Sequence, residues 1–235
     1  MAGLLLFSCI FFLTAAVMHA AIPSAAPFAS GAEAPITVVL DAGHGGEDSG
    51  AVGVNGVLEK DLNLRITLML GEMLESAGVS VVYTRTEDRL LYTEAQNIKG
   101  KRKIYDLYNR LCMAREQPNA ILVSIHMNKF TEEKYSGLQV YYAPADPSSR
   151  LLAEALRTRV KEDLQPENRR AVKAADDNIY LLHRADFPAV LVECGFLSNY
   201  EECEKLCKED YERQLSFSLF CGMMEYIRAN GGIEA

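Results

Sequence analysis

The chain has 235 residues, 49% hydrophobic and 24% charged, with a formal net charge of −8. This length suits one sizeable domain or two small ones, and the composition is that of an ordinary globular protein. The acidic excess excludes a general nucleic-acid binder, which needs a basic footprint.

The N-terminus differs from the rest. Residues 1–32 hold no charged side chain, and residues 4–17 (LLLFSCIFFLTAAV) are almost continuously apolar. Pro23 and Pro27 break any helix, and Ala32-Glu33-Ala34 has the small-x-small form of a cleavage site. Residues 1–34 read as a secretory signal, or alternatively as an N-terminal membrane anchor, although no Lys or Arg marks the start. The chain is then exported, touches a membrane only through this segment, and carries its fold in residues 35–230. Of the six cysteines, Cys9 belongs to the signal. Cys112, Cys194, Cys203, Cys207 and Cys221 fit no disulfide framework or zinc knuckle, and small buried thiols are the plainer reading.

Beyond the signal, residues 36–40 form an apolar run that predicts a strand. It leads into a glycine-dense loop, DAGHGGEDSGAVGVNGVLEKD, holding His44 and ending near Glu59. Residues 60–77 place Leu62, Ile66, Met69, Leu70, Met73 and Leu74 at helical spacing, with Gly78 as the stop. Residues 79–83 predict a second strand, so strand, helix and strand imply a parallel crossover. Residues 84–103 are polar and contain a basic cluster, Lys99, Lys101, Arg102 and Lys103. The cluster could hold an acidic substrate, with a solvated loop as the plainer reading. A second amphipathic helix is predicted over 104–115.

Residues 120–125 (AILVSI) form a fully apolar strand running into His126, the pattern of a central parallel strand. A further strand is predicted over 137–142 and a helix over 149–163. A charged loop covers 165–178, strands cover 179–182 and 189–193, and closing helices cover 201–208 and 211–227. No internal repeat or linker marks a second domain.

Three apolar strands thus end on chemically able residues, giving His44, His126 and Glu193. If the strands are parallel neighbours, their carboxyl ends converge. Glu59 joins from the far side of the glycine loop. Two histidines and one carboxylate make a three-ligand zinc centre with an open fourth position, and a further carboxylate suits a general base. Each residue has a plainer reading: a loop histidine at the surface, a glutamate at a helix N-terminus, a satisfied strand-end histidine. A charge at the end of a buried strand, as at Glu193, is the hardest to explain without a function. His183, just after a predicted strand, is the competing histidine and is allowed at the site rim.

The stretches DAGHGGEDSGAVG, LEKDLNL, SIHMN and AVLVECGFLSN together resemble, in order, the signature stretches of the zinc-dependent N-acetylmuramoyl-L-alanine amidases of the amidase-3 group. The resemblance covers residues 36–227. It implies an α/β fold, a mixed and mostly parallel central sheet flanked by helices, in a single catalytic domain. It implies zinc held by His44, Glu59 and His126, with Glu193 as the catalytic carboxylate, acting on the lactyl–L-alanine amide of peptidoglycan. Glu193-Cys194-Gly195-Phe196 and the basic insert before Tyr105 are similar to the germination-specific, spore-cortex (CwlD-like) branch. That branch implies a place in the spore or cell wall, a role in muramic-δ-lactam formation, and a possible accessory activator protein. Alternatives are another zinc hydrolase of the wall, a deacetylase or peptidase, or a non-catalytic wall-binding protein.

Overall fold

In the computed structural model, residues 35–230 are described; the expected signal or anchor at 1–34 lies outside them. Apolar runs that alternate with amphipathic helices produce β1 (Thr37–Ala42), α1 (Glu59–Ser76), β2 (Ser80–Tyr83), α2 (Arg102–Arg115), β3 (Ala120–Asn128), β4 (Gln139–Tyr142), α3 (Ser148–Asp163), β5 (Lys173–Ala174), α4 (Tyr180–Arg184), β6 (Ala189–Phe196), α5 (Tyr200–Leu206) and α6 (Glu209–Ala229). The strands form one sheet in the order β2-β1-β3-β6-β4-β5. Strands β2, β1, β3 and β6 run parallel, and β4 is antiparallel to β6. This is the mixed, mostly parallel sheet expected, with helices on both faces. No described helix is long and apolar enough to cross a membrane.

Alternation along each strand divides the side chains between two layers. On one face, Val38, Leu40, Val123, Ile125, Val190 and Val192 are fully buried against Leu62, Ile66 and Leu70 of α1, Leu152 and Leu156 of α3, and Leu215 and Leu219 of α6. On the other, Val39, Leu122 and Leu191 pack beneath Leu111 of α2 and Leu181 and Leu182 of α4. The residues that follow these three at period two are Asp41, Ser124 and Glu193, and His126 comes two further on. The second face is therefore apolar at its base and ionisable at the carboxyl ends of its strands.

Three boundaries differ from expectation. Strands β1 and β3 run past their apolar cores, so Asp41 and His126 sit within strands rather than after them, and β6 continues beyond Glu193, its predicted last residue, to Phe196. The strand predicted over 179–182 is instead the short helix α4. An Asp176 side chain caps the turn by accepting from Asn178 N at 3.0 Å, and His183 N donates to Ile179 O at 2.9 Å. The apolar residues there meet α2 rather than a sheet partner. The predicted loop over 165–178 contributes β5, a two-residue strand that pairs with β4.

Candidate metal centre

The loop between β1 and α1 is shaped around three side chains. His44 has left-handed backbone, with φ of 61°. Its Nε2 lies 3.2 Å from Glu59 Oε1, and its Nδ1 lies 2.9 Å from Asp48 Oδ2, an ion-pair contact rather than an aligned hydrogen bond. His126 Nδ1 lies 2.9 Å from the same Glu59 Oε1. The two rings meet edge to face with centroids 4.9 Å apart. Among the described residues, His44, Glu59 and His126 form a group of metal-capable side chains whose donor atoms all lie within 4.8 Å of one another.

Glu59 is the first residue of α1 and is 4% exposed. Its Oε2 accepts from Ala51 N at 2.7 Å and its Oε1 from Met127 N at 3.1 Å. In return, the Ala51 and Ser49 carbonyls accept the first N–H groups of α1, from Glu59 and Lys60. The helix has no side-chain cap; the glycine loop satisfies its first two orphan donors instead. The plainer reading of Glu59, a charge complementing a helix N-terminus, is true of its position, but the carboxylate is aimed at the histidines.

Glycine is required at two places. A methyl on Gly43 would stand 2.2 Å from His126 Nε2. One on Gly50, at φ of 65°, would stand 2.6 Å from Glu59 Oε2 and 2.7 Å from His44 Cδ2. No side chain fits at either without displacing a donor of the cluster.

Glu193 on β6 is paired in register with His126 on β3, and the register shifts immediately afterwards. Its Oε2 is buried with no hydrogen-bond partner among the described residues. An unmet buried polar atom costs about 1–3 kcal/mol, so such groups need an explanation. Burial pushes its carboxyl up to about 7, with the Glu59 charge adding to the rise and both histidines opposing it. Burial would also raise Glu59, but hydrogen bonds and charge from His126 and His44 hold it well below the carboxylate range. Two carboxyls in one site are thus driven apart, the pattern that separates a fixed anion from a proton carrier. For His44, burial lowers and the Asp48 and Glu59 carboxylates raise; the balance lifts it to about 9. A cavity of about 240 Å³ opens here, lined by His44, Asp48, Lys103, His126, Tyr180 and Glu193. His183 is exposed on α4 and does not line it.

Sequence reasoning missed the buried charges beneath the site. Arg110 of α2, 1% exposed, donates to Asp41 at 2.7 Å, Asp106 at 2.8 Å, Ala42 O at 2.7 Å and His44 O at 2.8 Å. Arg85 donates to the carbonyls of Ala42, Gly43 and Lys60. Asp41 also accepts from Thr84 and Ser124. Burial alone would raise Asp41; Arg110 and these hydroxyls bring it down to about 2. The two guanidiniums pin the backbone that carries His44. The only trace in sequence is Asp41 itself, an ionisable residue at the end of an apolar run. Of the five described cysteines, Cys194 and Cys203 are buried and Cys112, Cys207 and Cys221 are partly exposed.

Residues 38–224 match the Amidase_3 family, N-acetylmuramoyl-L-alanine amidase. The germination-specific N-acetylmuramoyl-L-alanine amidase of Bacillus subtilis is 31% identical over 83% of this chain and 81% of its own. The structure of the CwlD amidase from Clostridioides difficile in complex with the GerS lipoprotein is 39% identical, with a TM-score of 0.78, over 82% of this chain and 98% of that one. N-acetylmuramoyl-L-alanine amidase AmiC2 of Nostoc punctiforme is 31% identical with a TM-score of 0.70, over 82% and 97%. The strands, the glycine loop and the His–Glu–His cluster are thus those of a chain that belongs to the Amidase_3 family of N-acetylmuramoyl-L-alanine amidases, in its CwlD-like branch.

Proposed function

We propose that this enzyme uses zinc, held by His44, Glu59 and His126, to hydrolyse the amide between the lactyl group of N-acetylmuramic acid and the L-alanine of the peptidoglycan stem. The observation that carries the reading is the convergence of two imidazole nitrogens and one carboxylate oxygen within 4.8 Å, with the unpartnered Glu193 lining the same cavity. The donor set fits zinc: two histidines and a glutamate are a common catalytic arrangement that leaves a position open. Zinc bound there supplies a Lewis acid for the amide carbonyl and makes the attacking water more acidic.

This chain's own residues do the rest. Asp48, against His44 Nδ1, leaves Nε2 free to face Glu59. Glu193 takes a proton from the attacking water and returns it to the departing alanine nitrogen, a role suited to a buried carboxyl on the cavity wall. The buried Arg110 and Arg85 hold the loop so that neither histidine has to reorganise.

The remaining parts of the proposal rest on the uncharged, apolar N-terminus and on the relatives. Residues 35–230 are the catalytic domain and 1–34 the export signal or anchor, which puts the enzyme at the cell wall or in the spore intermembrane space. The name of the B. subtilis relative supports a role in germination; a place in spore-cortex maturation and muramic-δ-lactam formation is what the likeness to the CwlD-like branch implies. The C. difficile complex supports an accessory lipoprotein partner.

The test is mass spectrometry of peptidoglycan digested by the chain, with zinc and with a chelator. Zinc-dependent release of stem peptides with free N-terminal L-alanine is expected. Released acetate, or cuts within the peptide, would replace the amidase reading by a deacetylase or peptidase. Glycan and peptide left intact by zinc-loaded enzyme on cortex material would leave a wall-binding protein.

A further inference from the structure

One lysine of the basic cluster, Lys103, stands at the mouth of this site without a part in the mechanism. Lys99, Lys101 and Lys103 are exposed where the chain enters α2. Arg102, between them, is committed elsewhere: its Nη1 donates to both Glu47 oxygens, at 2.7 and 3.0 Å, and the guanidinium lies over the Tyr92 ring. Lys103 lines the cavity together with His44, His126 and Glu193. Its side chain is 65% exposed, and its Nζ lies 3.2 Å from Asp48 Oδ2. Arg110, also on the lining, is 1% exposed and fully engaged by Asp41, Asp106 and two carbonyls. Lys103 is therefore the solvent-facing permanent cation of the lining, in a chain of net charge −8.

The substrate of this reaction is charged on one side only. N-acetylated sugars are neutral, and the lactyl carboxyl is masked as the scissile amide. The peptide beyond L-alanine carries free carboxylates. A cation at one edge of the cavity stabilises the anionic half and gains nothing from the neutral half. We propose that Lys103 is a specificity-determining residue that receives a carboxylate of the departing peptide. It thereby orients the substrate with its peptide over the start of α2 and its lactyl-sugar half along the rest of the lining, including Asn178 and Tyr180. Asp48 holds the ammonium at the rim until the peptide carboxylate shares it. This inference rests on the amidase reading.

The experiment compares two muramoyl-peptide substrates that differ only at the residue after L-alanine, a glutamyl α-carboxylate or its carboxamide. Wild type is expected to favour the carboxylate by about fivefold in kcat/KM, the scale of one exposed ion pair. The preference should lie in KM and shrink as salt rises. In Lys103→Ala the ratio should fall to about one, whatever common change affects both substrates; in Lys103→Arg most of it should persist, and in Lys103→Glu it should invert. A wild-type ratio of one, or a ratio that survives Lys103→Ala, overturns the proposal. Calorimetric titration with the two product-type peptides reads the same ratio without turnover. If neither substrate is cleaved, the amidase reading fails, while the peptide affinities still decide the role of Lys103.

Discussion

On the side of α1, α3 and α6, the central strands present Val38, Leu40, Val123, Ile125, Val190 and Val192, none of them exposed. On the side of α2 and α4 the same strands present Val39, Leu122 and Leu191 at their base and Asp41, Ser124, His126 and Glu193 at their carboxyl ends. One face is interchangeable hydrocarbon; the other stacks a small core under a cluster of charges that must be held in place. The difference shows how a parallel sheet separates stability from chemistry with one residue of alternation. The apolar face secures the sheet, and the polar face is assembled on it by Arg110 and Arg85.

The sharpest way to separate the faces is Glu193→Gln. It should lower kcat by about 10²–10⁴-fold, the range for a lost general acid–base, while metal content stays at the wild-type level; near-normal turnover would remove Glu193 from the reaction. On the opposite face, Leu70→Ala leaves a cavity against the apolar layer and should cost about 2–5 kcal/mol in denaturant unfolding. Its folded fraction should bind metal as wild type does, and weakened metal binding there would mean that the faces are coupled. Asp48→Asn removes the carboxylate against His44 Nδ1 and should weaken metal affinity by about 10–100-fold, measurable by competition with a chromogenic chelator. Unchanged affinity would make Asp48 a surface residue with respect to the centre.

The smallest effect is a pH dependence. Asp41 is held at about 2, below its ordinary value of 3.8. A depressed carboxyl contributes stability above its unfolded value and loses it as pH falls through the folded one. Asp41 should therefore contribute about 2 kcal/mol above pH 3.8, lost towards pH 2. Acid titration of metal-free protein should show that contribution beside those of Glu59 and Asp48, which are also held down, and Asp41→Asn should reduce the slope by the Asp41 share. A variant with the wild-type acid slope would place the acid sensitivity elsewhere in the molecule.

Local chemistry made much of this legible before any coordinates. Apolar runs at 36–40, 120–125 and 189–193 had to be buried strands, and the spacing from Leu62 to Leu74 had to be a helix with one apolar face. Ionisable residues at the ends of such runs are costly unless they have partners, which singled out His44, His126 and Glu193. The short run at 179–182 misled, because four apolar residues satisfy a strand and a helical turn equally, and only their packing with Leu111 of α2 over the sheet decides between them.

What sequence alone determined was the set of candidate donor residues, Glu59 among them through its motif, and most of the order of elements that carries them, because period, composition and motif are properties of neighbours in the chain. What only tertiary structure decided was the arrangement: that β1, β3 and β6 are adjacent, that Glu59 reaches both histidines, that Gly43 and Gly50 leave room for those rings, and that Arg110 joins α2 to the His44 backbone. Each of these joins residues distant in sequence, and nothing in their local pattern encodes a contact that exists only once the sheet has closed around them.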